Sequence, residues 1–222
     1  CNVVVGKSAM QSLTEGDNNV AIGHSALFEN TTANDGVAVG VLALACNTTG
    51  SDNTAVGYST LKANTTGATN TAMGYLSLSA NTTGASNTAI GYKSLDSNIG
   101  GIENVAIGFC AVQTANENRN TGVGYKALFL ATGGENTALG NDAGLNVEAG
   151  ANNTLIGYQA GTDGVINIDS ESNHIVLGNN SVTNALIKVD WTVTSDERDK
   201  MDFGKVPHGL DFVNQLKPVS FI

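Results

Sequence analysis

Ser195 and Lys200 are the two residues of this 222-residue chain whose types and spacing could support covalent chemistry. They bracket the stretch SDERDK (195–200), whose charges follow a long region in which charge is sparse. A serine hydroxyl needs a base to act as a nucleophile, and a lysine with a lowered pKa can serve as that base in a Ser–Lys dyad. The alternative interpretation is an exposed polar linker, because this spacing arises easily by chance.

The remaining residues give no signal for a metal, a cofactor, a nucleic acid or a membrane. His24, His174 and His208 share no metal-ligand spacing, so we predict no metal site and no cofactor. A formal net charge of -10 would repel a polyphosphate, which argues against nucleic-acid binding. No run is long and apolar enough for a transmembrane helix, and no signal peptide is visible.

Most of the chain is a repeat whose period is marked by a glycine. The stretches NTAVGYSTL (53–61), NTAMGYLSL (70–78) and NTAIGYKSL (87–95) align on it. The spacing is 17 residues six times, then 16, 16, 17 and 21. Such a fixed period is the signature of a repeat architecture. The glycines are Gly6, Gly23, Gly40, Gly57, Gly74, Gly91, Gly108, Gly124, Gly140, Gly157 and Gly178.

The repeat unit predicts an all-β fold, a parallel β-solenoid of about ten 17-residue coils over residues 1–178. Each unit reads as a short β-rich run, a break, a second short run and a polar turn such as Asn47–Gly50. The unit is too short for a helical hairpin or a propeller blade. Small and β-branched residues dominate the composition, which disfavours helices. Asn and Gly suit corners that need left-handed backbone.

Strand periodicity predicts which side chains form the core. We expect the residue before each repeat glycine to stack inward, supported by a leucine four residues after the glycine. The opposite face, of Ala and Gly, would let another chain approach closely. Because one thin coil encloses little volume, we predict that identical chains pack together through these faces. The inward residues would be Val5, Ile22, Val39, Val56, Met73, Ile90, Ile107, Val123, Leu139 and Ile156, with Leu27, Leu44, Leu61, Leu78, Leu95 and Leu128.

Two further columns each carry a functional and a structural interpretation. Tyrosines follow the repeat glycine and could stack on sugar rings, but we favour a structural column, which His24, Val41, Phe109 and Asn141 interrupt. Threonines precede the repeat alanine and could form an ice-binding plane, but we favour solvated corners or hydrogen-bond ladders. The members are Tyr58, Tyr75, Tyr92, Tyr125 and Tyr158, and Thr54, Thr71, Thr88, Thr121, Thr137 and Thr154.

The units NTAVGY and NVAIGF resemble the head repeats of trimeric autotransporter adhesins, whose pattern is close to Asn-Ser-Val-Ala-Ile-Gly. The resemblance covers residues 2 to about 178 and implies a trimeric left-handed parallel β-roll. The repeat here is longer and carries an inserted NTTG corner. Long repeats with this corner are similar to those of phage-type tail fibres.

SDERDK followed by GLDFVNQLKPVSF (209–221) resembles the start of the intramolecular chaperone auto-processing domain of tail spikes and endosialidases. That resemblance implies a domain that drives trimerisation and then cleaves itself off. It makes Ser195 the nucleophile, Lys200 the base and Ser195–Asp196 the cleaved peptide bond. Residues 179–194 would be a connecting strand or linker. Residues 195–222 would be a truncated start of the domain, inactive in this chain, with a short helix at 208–216.

The resemblances together imply a structural and attachment protein, the trimeric shaft or head of a virion tail fibre. Its expected partners are its own copies, an unidentified host receptor or glycan, and other tail proteins. Cys46 and Cys110 lie four coils apart, and free thiols suit assembly in a reducing host cytoplasm. The alternatives are a trimeric adhesin on a bacterial cell surface, or a glycan-degrading spike, which would need clustered acids on neighbouring coils.

Overall fold

Eleven three-residue strands form one parallel sheet in which each strand pairs with the next along the chain. The structure is a computed structural model, and it describes residues 1–114, 116–164 and 166–186. Its described part contains no helix, so the predicted all-β parallel solenoid is confirmed. The strands are β1 (Val3–Val5), β2 (Val20–Ile22), β3 (Val37–Val39), β4 (Thr54–Val56), β5 (Thr71–Met73), β6 (Thr88–Ile90), β7 (Val105–Ile107), β8 (Thr121–Val123), β9 (Thr137–Leu139), β10 (Thr154–Ile156) and β11 (Ile175–Leu177).

The register brings equivalent residues of successive coils into contact. Ala55 of β4 pairs with Ala72 of β5, and Ala72 pairs with Ala89 of β6. Backbone hydrogen bonds continue the ladder on both sides of the strand, for example from the Thr54 N–H to the Asn70 carbonyl at 2.8 Å. Each coil therefore advances by one strand spacing, about 4.8 Å, and every repeat position becomes a column along the solenoid.

The second short run of each coil is not a strand, contrary to the predicted two-run coil. In the fourth coil, Ser59 and Leu61 have φ values of 51° and 50°. These left-handed residues turn the chain, while the Leu61 N–H still donates to the Ser77 carbonyl at 3.0 Å in the next coil. Left-handed backbone costs a non-glycine residue roughly 1–2 kcal/mol, so burial of Leu61 and the intercoil hydrogen bonds must offset that cost.

The core contains the alanines and leucines of the repeat. Ala55, Ala72, Leu61 and Leu78 are all 0% exposed, so the predicted leucine column is confirmed. The prediction that the residue before each glycine points inward is wrong, since Ile22 is 39% and Met73 44% exposed. Leucines from the far side of the coil fill its narrow interior, which leaves room only for alanine on the strand. The small-residue face is therefore the inside of each coil and cannot be a surface between chains.

The repeat glycine is required by the stacking of coils. Gly57 has φ = 136°, and a Cβ on it would overlap the carbonyl of Gly74 in the next coil. The predicted role of glycine at the NTTG corner is wrong, because Gly50 is not among the glycines with positive φ. It is needed because a Cβ there would strike the Gly67 carbonyl oxygen. The left-handed corner residues are instead side-chain-bearing ones such as Asp52, at φ = 60°.

Candidate functional site

The outward face of the sheet carries two uncharged columns. The first and third residues of a strand both point away from the interior, while the middle residue is buried. The first column, the threonine row, holds Val3, Val20, Val37, Thr54, Thr71, Thr88, Val105, Thr121, Thr137, Thr154 and Ile175. The second column, the aliphatic ladder, holds Val5, Ile22, Val39, Val56, Met73, Ile90, Ile107, Val123, Leu139, Ile156 and Leu177.

The aliphatic ladder is open to solvent in the single chain. Ile107 is 37%, Leu139 38% and Ile156 41% exposed, and Val5 and Leu177 at the two ends are 57% and 55% exposed. Ten steps of about 4.8 Å and a width of two columns give a face on the order of 400 Å². The threonine row supplies one of the two columns, so the aliphatic ladder is the continuous apolar part of this face, and a largest apolar patch of a few hundred Å² is often functional.

A column of aromatic rings lies two residues beyond the aliphatic ladder. We call Tyr58, Tyr75, Tyr92, Phe109 and Tyr125 the aromatic stack. Successive ring centroids are 5.3, 5.4, 4.9 and 5.2 Å apart, and neighbouring planes differ by at most 13°. Phe109 therefore continues the column, contrary to the expectation that it interrupts it. Since each ring packs against its neighbours, the stack fits the structural interpretation that we favour.

Two lysines approach the aromatic stack. The Lys93 Nζ lies 5.9 Å from the Tyr92 ring centroid, and the Lys126 Nζ lies 5.4 Å from that of Tyr125 and 5.2 Å from that of Phe129. These are cation–π distances. Sequence reasoning missed these contacts, although both lysines stand two residues after a repeat glycine, next to an aromatic position.

Buried asparagines connect the coils through two columns of side-chain hydrogen bonds. The Asn87 Nδ2 donates to the Asn70 Oδ1 at 3.1 Å and to the Gly101 carbonyl at 2.8 Å. The corner column runs from Asn47 to Asn98 by the same kind of contact. At its end the buried Asn98 Oδ1 accepts no hydrogen bond from the described residues, and the residue 17 positions later is Ala115.

The corner threonines form the predicted hydrogen-bond ladder. The Thr31 hydroxyl donates to the Thr48 carbonyl, Thr48 to Thr65 and Thr65 to Thr82, each at 3.0 Å. The strand threonines lie where each corner passes into the strand. Thr54 and its equivalents are the first residues of their strands and share the outward face with the aliphatic ladder.

An exposed arginine pairs with acids of both neighbouring coils. The Arg119 Nε donates to Glu103 at 3.0 Å and its Nη1 to Glu135 at 3.1 Å. Hydrogen bonds from the guanidinium to these carboxylates, Glu103 first, raise the pKa of Arg119. Arg119 and Glu135 also line a shallow surface depression. Exposed ion pairs of this kind contribute little to stability. Both carboxylates are engaged with Arg119, so this cluster gives no sign of a general acid or base.

All three cysteines are free thiols. Cys110 is 6% exposed, and its pKa is raised by burial and then by the charge of Asp96. The pKa of Cys46 is likewise raised by burial, and then by Glu29. A raised pKa lowers the thiolate fraction at neutral pH, and the thiolate is the reactive form. Neither thiol is therefore activated for nucleophilic chemistry.

The residues predicted to cleave the chain lie outside the described part. Ser195, Asp196 and Lys200 lie within residues 187–222, which the structure does not describe. His208 and the predicted helix at 208–216 lie there too. Of the other histidines, His24 and His174 are exposed and lie far apart in the coil order.

Neither a metal site nor a membrane helix is found in the described part of the chain. Among residues 1–114, 116–164 and 166–186, no group of three or more His, Cys, Asp and Glu side chains is placed to hold a metal ion. Over the same residues, no helix has the length and apolar character needed to cross a bilayer.

Comparison with known proteins finds no relative of this chain. No protein-family model matches the chain, and neither the curated proteins nor the solved structures include a match. The outward face of the solenoid, with the aromatic stack at its edge, is therefore the feature on which a function must be argued.

Proposed function

We propose that this chain is a shaft or head segment of a trimeric attachment fibre of the phage tail-fibre type. The observation that carries the proposal is the aliphatic ladder, an uncharged apolar column that runs the full length of the sheet. A solenoid with a continuous apolar face gains stability when identical chains cover that face. The threefold number and the tail-fibre assignment come from the sequence resemblance.

The shape of the face favours a copy of the same chain as the partner. Every rung of the ladder, that is, every coil, presents short apolar side chains on this face at the same spacing. A sister solenoid has the same spacing, so its side chains can pack against this face along its whole length. The two outward columns hold no charged residue that would be desolvated on contact. Packing through the aliphatic ladder replaces the expectation of packing through the alanine-lined face, which the coil itself buries.

The oligomeric state of the full chain tests this proposal. Sedimentation equilibrium should give the mass of three chains, and Ile107→Asp should shift the chain toward monomer because it places a charge on the aliphatic ladder. Ile99→Asp is the matched control, since Ile99 is 52% exposed but lies at a corner away from the sheet. A monomeric wild type, or equal dissociation by both variants, would contradict the proposed surface.

Maturation by self-cleavage is the second part of the proposal. After the chaperone domain has driven trimerisation, Ser195 would be the nucleophile and Lys200 the base that takes its proton. The Ser195–Asp196 peptide bond would break as that proton passes to the departing amine of Asp196, and a water molecule would complete the hydrolysis. The resemblance of SDERDK and the segment after it supports this assignment. In the full-length protein, Ser195→Ala should yield one uncut polypeptide where the wild type yields two. Identical products from both proteins would exclude the dyad.

A further inference from the structure

All five tyrosines of the chain occupy the same repeat position, immediately after the repeat glycine. Three of them, Tyr58, Tyr75 and Tyr92, lie on consecutive coils and stack on one another with centroids 5.3 and 5.4 Å apart. They are also 46%, 46% and 41% exposed, so an oxidant can reach them from solvent.

We propose that Tyr58, Tyr75 and Tyr92 form a site of oxidative modification at which neighbouring coils become linked by dityrosine. The site combines adjacent phenols, nearly parallel rings and solvent access in one rigid ladder. This inference is independent of the proposed trimer, because both partners of each bond belong to the same chain.

The reaction needs a one-electron oxidant, for which we take hydrogen peroxide activated by a haem peroxidase. Each of two phenols gives up one electron and one proton, and two tyrosyl radicals result. The radicals couple through a new carbon–carbon bond between ring carbons ortho to the oxygens. Each of those carbons then loses its hydrogen as a proton while its phenolic oxygen regains one. Overall, two tyrosines and one peroxide give one dityrosine and two water molecules.

The rigid stack favours coupling within the chain over coupling between chains. The coils hold the two rings in place, so coupling needs no diffusional encounter and has a high effective concentration. The rings stack face to face, with planes that differ by 10° and 6° and centroids 5.3 and 5.4 Å apart. Carbon–carbon coupling joins ring edges, so the two side chains must rotate out of the stack about their Cα–Cβ and Cβ–Cγ bonds, and their exposure to solvent leaves room for that rotation.

The same geometry makes Tyr125 and Tyr158 internal controls. The rung before Tyr125 holds Phe109 and the rung after it holds Asn141, so Tyr125 has no tyrosine on an adjacent coil. Tyr158 is 58% exposed and follows the Asn141 rung. Both side chains are about as accessible as Tyr75 or more so, yet neither should enter an intrachain cross-link.

The test is to treat the full chain at low concentration with horseradish peroxidase and hydrogen peroxide. We expect dityrosine fluorescence in a band that still migrates as a single chain. Peptide mapping should find Tyr58–Tyr75 and Tyr75–Tyr92 cross-links, each lighter by two hydrogen atoms. Tyr75→Phe keeps the ring but should remove most of the signal, whereas Tyr125→Phe should leave it unchanged.

A substitution that adds a tyrosine to the aromatic stack tests the proposal in the opposite direction, because it should create new cross-links. Phe109→Tyr completes a run of five tyrosines, so new cross-links should join position 109 to Tyr92 and to Tyr125. Dityrosine found only between chains, cross-links that involve Tyr158 as often as Tyr75, or tyrosine consumption without dityrosine would overturn the proposal. Circular dichroism and thermal unfolding of each variant would show that the coils remain intact.

Discussion

At the scale of single residues, one large strand residue fills the interior where two successive turns carry glycine. Most coils place a leucine on the turn side and an alanine on the strand. Gly144 and Gly161 take the place of that leucine in two successive coils, and Leu155, the middle residue of β10, lies against both glycines and is 0% exposed. A Cβ on Gly144 would lie 2.6 Å from a methyl of Leu155, so the leucine side chain fills the space that the glycine leaves.

This exchange predicts a compensating pair of substitutions. Leu155→Ala should lower the free energy of unfolding by about 2–5 kcal/mol because it opens a cavity. Gly144→Leu alone should also destabilise, by overpacking against Leu155. The double variant places a leucine at position 144 and an alanine on β10, but leaves Gly161 without a large side chain against it, so it should recover part of the loss. Chemical denaturation of the four proteins measures this coupling, and additive losses would show that the two sites are independent.

Thiol reactivity gives a second prediction at this scale. Burial raises the pKa of Cys46 and of Cys110, so each thiol stays protonated to a higher pH in the folded chain than in the unfolded chain. Exposed Cys1 should therefore react first with iodoacetamide at neutral pH, and Cys110 last. In denaturant the three rates should converge. Equal rates in the native chain would contradict the placement of these side chains.

At the scale of the repeated element, the sequence predicts the rungs but not the direction in which their side chains point. The glycine period indicates where the strands lie, because each coil must bring a glycine against the next coil. In a strand such as Thr54–Val56, either Ala55 or its two neighbours can face inward, and both choices bury apolar atoms. The volume already filled by Leu61 decides in favour of alanine, and that is a property of the closed coil.

The same limit applies to the turns and to the cleavage site. Left-handed leucines such as Leu61 go against local preference, so no short-range pattern predicts them. Intercoil hydrogen bonds and burial impose that conformation once neighbouring coils are present.

The aromatic stack could be predicted as a column, and Phe109 fits it because a phenyl ring stacks as a phenol does. Ser195 and Lys200 remain predictions, since they lie outside the described residues.

The asparagine columns give a prediction for the element. Asn87 is 1% exposed, and its Oδ1 accepts from the Asn104 N–H at 3.0 Å and from the Asn104 Nδ2 at 3.1 Å. Asn87→Ala would leave these buried donors without that acceptor, which should cost about 1–3 kcal/mol for each unsatisfied group. Asn34→Ala is the control, because Asn34 is exposed. Equal stability of the two variants would contradict a structural role for the buried column.

At the scale of the whole molecule, sister chains cover the aliphatic ladder in the assembly that we propose. A solenoid coil this narrow buries mainly alanines, leucines and asparagines, so much of its apolar surface remains outside. The ladder is uncharged over eleven rungs, and the acidic residues lie elsewhere on the coils. Assembly through this face would bury the ladder and leave the charged corners in water, where they favour solubility.

Methionine oxidation measures that burial directly. Met73 lies in the aliphatic ladder and is 44% exposed in the single chain, so its sulfur would react readily with hydrogen peroxide if the chain were alone. Our account predicts that Met73 in the native protein is oxidised far more slowly than in the denatured chain, and that Ile107→Asp restores fast oxidation. Rapid oxidation of Met73 in the native wild type would show that the ladder faces water and would contradict the account.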